Sequence, residues 1–131
     1  MTYEGYHGLE ELRSAALIFA ANVVFEELVF RGVIFRIVEE SLGTTLALAV
    51  SALLFGLSHL KNNGATLIST LSVAVAGGIT FGLTYTLTKS LWLPIGIHFG
   101  WNFTQGALFG SAVSGYNLRG ALSFASRDPH W

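Results

Sequence analysis

Between residues 41 and 118 the sequence carries only two formal charges, Lys61 and Lys89, and both fall where the apolar pattern breaks. A helix that crosses a bilayer needs about 20 mostly apolar residues. Four stretches approach or reach that length: residues 14–35, 42–60, 64–88 and 91–109. The third is uncharged throughout, the second is interrupted only by His59, and the fourth contains His98 and Asn102. This pattern predicts an all-α fold, a polytopic transmembrane helix bundle of about four spans. Asn62-Asn63-Gly64 and Lys89-Ser90 read as the turns between spans, and Gly43 and Pro94 as helix edges or kinks.

Composition excludes most other classes. Charged residues are 11% of the chain, against about 25% in soluble domains, while apolar residues are 52%. The chain has no cysteine, and seven Lys+Arg face eight Asp+Glu. A disulfide scaffold, a disordered segment and a nucleic-acid binder are therefore all excluded. Three segments follow: a polar lead-in over 1–13, a helical core over 14–109 and a polar tail over 110–131. Residues 118–125 are the one short amphipathic stretch of that tail. Glu10, Glu11 and Arg13 are expected to start the first helix at headgroup level. Glycine is abundant, and G-x-x-x-G spacing at Gly78/Gly82, Gly96/Gly100 and Gly106/Gly110 suggests that the third and fourth spans pack closely together.

The informative residues are those that do not belong in lipid. Charged side chains at mid-helix cost about 2.5–3.5 kcal/mol on insertion scales, yet the first span carries Glu26-Glu27-x-x-x-Arg31. Glu27 and Arg31 lie one turn apart on one face and can pair. Glu26 points about 140° away from Arg31 on the helical wheel and must find its partner elsewhere. A carboxylate without a partner in an apolar setting is suited to general acid–base work. The alternative is that both glutamates only staple Arg31 and Arg36 across the bundle. The second span ends Phe55-x-x-x-His59, and the fourth carries His98-x-x-x-Asn102, which projects an imidazole and an amide from one face. That pair suits an oxyanion, and a satisfied interior histidine is the plainer reading of His59. Counted at 1.5 Å per residue, Glu26 and His59 sit roughly 21 and 22 Å from the same membrane side, whereas His98 lies only about 10 Å into its span. His98 comes level with Glu26 only if the fourth span is tilted or starts deeper.

These three motifs, on separate apolar spans and in this order, resemble the CPBP family of intramembrane peptidases. That family includes CAAX endopeptidases that trim prenylated proteins, together with abortive-infection and bacteriocin-processing relatives. The resemblance implies an intramembrane CAAX-type endopeptidase that cuts a membrane-anchored or leader-bearing peptide or protein. Glu26 and His59 would activate a water, His98 and Asn102 would hold the oxyanion, and Glu27, Arg31 and Phe55 would support them. The bilayer is the implied setting, as a multi-pass protein of a bacterial or archaeal plasma membrane, with no nucleic-acid partner. No cofactor is firmly implied. Zn²⁺ held by Glu26, His59 and His98 is the metal-dependent variant, although no H-E-x-x-H is present. Family members carry further spans before the acidic motif, so residues 14–109 read as the minimal core of a larger fold. A non-catalytic membrane scaffold or immunity-type protein is the alternative function, and a proton or ion pathway a third.

Overall fold

The computed structural model describes residues 2–6, 8–111, 113 and 122–125, with side chains over 8–111 and at 113. The described residues are almost entirely helical, as the charge map predicts. Two helices, Thr44–Lys61 and Leu67–Thr88, are long and apolar enough to cross a membrane. The first and fourth stretches are helical as well, but polar side chains interrupt them. Large apolar side chains stand bare along these rods, including Ile68 (79% exposed), Leu87 (81%) and Trp92 (82%). In water such a surface would aggregate; against lipid it costs nothing.

The chain forms two compact units, Asn22–Phe99 and the paired ends Met1–Ala21 with Gly100–Trp131. Within the larger unit, helix α1 (Leu9–Glu27) ends and is followed by a π-helical segment, Leu28–Phe35, and by α2 (Arg36–Leu42). Gly43 stops α2 with φ 86°, a left-side backbone that suits glycine, and its N–H bonds the Glu39 carbonyl. Helix α3 (Thr44–Ser58) closes in a single 3₁₀ turn, His59–Lys61. The Asn62-Asn63-Gly64 turn falls where the sequence places it. A reciprocal Thr66–Ser69 cap then opens α4 (Leu67–Val73). A second π-helical segment, Ala74–Ile79, leads into α5 (Thr80–Thr88), and Lys89 turns the chain in a left-handed conformation toward α6 (Trp92–Asn102). Pro94 lies in the first turn of α6, where a missing N–H is harmless, so it marks a helix start and not a kink.

The closest helix contact in this unit runs through small residues. A Cβ placed on Gly78 would lie 2.7 Å from the Ala52 Cα, and one on Gly56 would lie 2.6 Å from the Ala74 Cβ. Ala52-x-x-x-Gly56 on α3 thus meets Ala74-x-x-x-Gly78 backbone to backbone, the arrangement lipid favours because packing must replace the hydrophobic drive. This corrects the expectation that these glycines pack the third span on the fourth. Gly78 and Gly82 face α3, through Ala52 and Leu48, while a Cβ placed on Gly96 or Gly100 would meet no other side chain or helix within 4 Å among the described residues. Four-residue spacing marks a close-packing face but not which helix lies on it. The Ser51 hydroxyl donates to the Phe30 carbonyl (3.1 Å) and ties α3 to the first π-helical segment. Phe35, Ala47 and Tyr85 form the apolar core nearby.

The smaller unit holds the start of α1, with Glu10 and Glu11 in its first turn, where carboxylates favour the helix dipole. A third π-helical segment, Phe103–Leu108, places Gly106 against Phe19 so tightly that a Cβ would lie 2.5 Å from its ring. Strands β1 (Thr2–Tyr6) and β2 (Leu122–Ala125) pair antiparallel, with Tyr3 opposite Phe124. The amphipathic stretch expected over 118–125 is therefore a strand at its C-terminal half, and 118–121 lie outside the described residues.

Candidate functional site

The i,i+4 pair exists as the spacing predicts. Arg31 Nη1 donates to Glu27 Oε1 at 3.1 Å, and both side chains are fully buried. Burying a guanidinium among apolar helices is costly unless its donors are satisfied and its charge is balanced. Here Nη2 donates to the Gly78 carbonyl at 2.9 Å, with the Gly77 carbonyl at 3.5 Å. Two bare glycines leave those carbonyls uncovered, so the side chain reaches the backbone of the second π-helical segment. Aromatic faces complete the cage, with the guanidinium carbon 4.6 Å from the centre of the Phe55 ring and 5.3 Å from that of Phe81.

His98 enters the same cage from α6. Its Nδ1 lies 2.8 Å from Glu27 Oε1 and its Nε2 lies 3.6 Å from Glu26 Oε2. Glu27 therefore shares one oxygen between Arg31 and His98. Glu26 was expected to find its partner elsewhere, but its own helix supplies one: Asn22 Nδ2, one turn earlier, donates to Oε1 at 3.1 Å, while His98 from α6 faces Oε2. That second oxygen is buried and accepts no hydrogen bond among the described residues. One imidazole is thus flanked by two carboxyl groups, Glu27 at its Nδ1 and Glu26 facing its Nε2, in apolar surroundings. His98 thus stands level with both glutamates, the outcome that the depth count made conditional on a tilted or deeper span.

The remaining predicted residues are placed differently. His59 is half-buried at the end of α3, and both partners of its Nδ1 are on its own helix: the Phe55 carbonyl at 2.8 Å and the Ser58 hydroxyl at 3.2 Å. Phe55 lies between the two histidines, its ring centre 4.8 Å from that of His59 and 5.7 Å from that of His98. Asn102 is the last residue of α6, one turn beyond His98, and belongs to the smaller unit. It is buried, and its Nδ2 has no hydrogen-bond partner among the described residues. Among the described residues no three His, Asp or Glu side chains are grouped to hold a metal ion.

Three contributors escaped the sequence reading. Asn22 stands four residues before Glu26, a spacing that could have been noticed. The Gly77 and Gly78 carbonyls and the Phe81 ring carry no signal, since a glycine pair and a phenylalanine in an uncharged span look like packing.

Membrane-length helices enclosing a buried carboxylate–imidazole–guanidinium cluster define a class, that of membrane proteins with an acid–imidazole centre between helices. The model of the type II CAAX prenyl endopeptidase Rce1-like family matches residues 9–104, and the chain belongs to this family, a peptidase family within the wider group that the motifs resemble. Over 75 residues the chain is 32% identical to a Bacillus subtilis protein named "Putative membrane peptidase YdiL", an alignment that covers 57% of this chain and 28% of that protein. No solved structure matches.

Proposed function

We propose that this chain is an intramembrane CAAX-type endopeptidase that hydrolyses a peptide bond in a membrane-associated protein or peptide. The observation that carries this reading is the Glu26 Oε2 atom, buried, without a hydrogen-bond partner among the described residues and 3.6 Å from an imidazole nitrogen. A carboxylate oxygen left open in an apolar setting is a ready acceptor for a water proton. In the proposed step Glu26 takes that proton, the water oxygen bonds to the scissile carbonyl carbon, and the carbonyl oxygen becomes an oxyanion. His98 and Asn102 are the donors that the family resemblance assigns to it. Collapse of the tetrahedral intermediate breaks the C–N bond, and the proton held by Glu26 passes to the leaving amine. His59 assists Glu26 in the scheme that the resemblance implies, with Phe55 between it and the rest of the site.

Family membership and the name of the Bacillus relative support a substrate at the membrane, and a prenylated C-terminal CAAX sequence is the first class to try. Purified protein in liposomes is expected to cleave a farnesylated CAAX peptide or a leader peptide. Glu26→Gln is expected to lose at least about 100-fold in rate, the lower range of general-base contributions, with an unchanged melting temperature. Full activity in that variant would remove Glu26 from the mechanism. The buried Glu27–Arg31 staple also suits a non-catalytic scaffold, which instead predicts no cleavage by the parent protein and a lowered melting temperature for Glu26→Gln.

A further inference from the structure

The Glu27 hydrogen bond fixes where the Nδ1 atom of His98 lies, but it does not fix the plane of the ring. The last torsion of a histidine side chain is broad, so a ring held by one nitrogen can still swing its opposite edge. A swing of that kind would carry Nε2 away from Glu26, because Nε2 is the atom farther from the anchor.

One side chain removes that freedom. The Phe81 ring lies against the face of His98, centre to centre 4.4 Å with the planes only 19° apart. Phe81 is itself held, being buried, set edge-on to Phe55 at 6.1 Å and facing the Arg31 guanidinium. It comes from α5, the stretch in which the sequence shows no polar residue of chemical interest. Phe55 meets His98 too, but edge to face at 78°, so the stacking contact belongs to Phe81.

We infer that Phe81 is a positioning residue for the proposed peptidase reaction, setting the plane of His98 so that Nε2 faces Glu26. The inference rests on the functional reading above and names a residue that acts through His98 without touching substrate. A flexible side chain of similar bulk should fill the space without holding the plane, whereas any flat ring should hold it.

The test compares Phe81→Leu and Phe81→Tyr with Phe35→Leu, a buried aromatic in the core beside Tyr85 and away from the cluster. Melting temperature in detergent, kcat and KM on a farnesylated CAAX peptide, and the NMR shifts of the His98 ring protons are recorded for each. Phe81→Leu is expected to lower kcat on the order of tenfold or more, as small misplacements of reacting groups do, with KM within about twofold. Phe81→Tyr should recover most of kcat, and Phe35→Leu should lose melting temperature with kcat intact. Equal kcat losses in Phe81→Leu and Phe35→Leu would overturn the inference, as would full kcat in Phe81→Leu. If the parent protein cleaves nothing, the peptidase reading fails and the spectra decide the rest. Ring-current displacement of the His98 protons that disappears in Phe81→Leu but survives in Phe35→Leu supports the positioning role, and its absence from the parent protein overturns it. If Phe81→Leu does not fold, the parent spectrum and the Phe81→Tyr kinetics give the same decision.

Discussion

Two ion pairs of the larger unit join a glutamate to a lysine or an arginine in opposite settings. At the end of the first rod, Lys89 Nζ donates to Glu39 Oε1 at 2.7 Å and the Thr44 hydroxyl donates to the same oxygen at 2.9 Å. Lys89 is more than half exposed. At mid-rod, Glu27 and Arg31 hold a similar contact with no exposure at all. An exposed pair gains little over its hydrated partners, about 0–1 kcal/mol. A buried pair gains little over an apolar filling either, but removing one member strands a charge and costs about 3–5 kcal/mol. The outer pair is therefore a tether between α2, α3 and the Lys89 turn, and the inner one is a commitment. Once Arg31 is inside, Glu27, the Gly78 carbonyl and the two aromatic rings must all stay where they are. That rigidity also fixes the oxygen of Glu27 to which the His98 imidazole is joined.

The largest effect expected is at the inner pair. Arg31→Ala should lower stability in detergent by about 3–5 kcal/mol, and Glu27→Met combined with Arg31→Met should be markedly more stable than Arg31→Ala while remaining inactive. Thermal melts of the three proteins check this, and a mild Arg31→Ala would erase the contrast drawn between the pairs. Next is the packing that brings the Gly78 carbonyl to Arg31. Gly78→Ala puts a methyl group into the Ala52 backbone and should cost about 1–3 kcal/mol, as overpacking does. Gly96→Ala, with open space around it, should be neutral or stabilising in the same melts.

The smallest effect is at the outer pair. Lys89→Ala should cost under about 1 kcal/mol and less still in high salt. Lys89→Gly should cost less than Lys89→Ala, because position 89 has φ 50° and glycine accepts that backbone freely. The hydrogen bond from Lys89, with help from that of Thr44, holds the Glu39 carboxyl below its ordinary value of 4.5. A depressed carboxyl contributes stability that is complete above the ordinary value and is lost as pH falls through the lower, folded one. Melting temperatures of the parent and Lys89→Ala should therefore differ at neutral pH and converge in acid below that range. A gap that persisted there would mean that Lys89 acts through something other than Glu39.

What could be read from the sequence follows the distance over which each rule acts. The rods were legible because long uncharged stretches admit few solutions. The Glu27–Arg31 pair was legible because helical geometry brings residues four apart together whatever surrounds them. The turns at Gly43, Asn62-Asn63-Gly64 and Lys89 were legible for the same local reason. The pairing of Gly78 was misread, since a small-residue face is compatible with more than one neighbour.

The sequence alone determined that this chain is a helical membrane protein and that it pairs Glu27 with Arg31. Only the tertiary structure decided that Glu26 is bonded by Asn22 of its own helix and faced by His98 from another, that one oxygen of Glu27 serves two cations or donors at once, and that Phe81 closes the face of the ring. Backbone hydrogen bonding fixes contacts within a turn or two, where few conformations compete. Contacts between rods depend on which of several compatible faces pack, and that choice is made by the sum of many small van der Waals and burial terms, none visible at a single position.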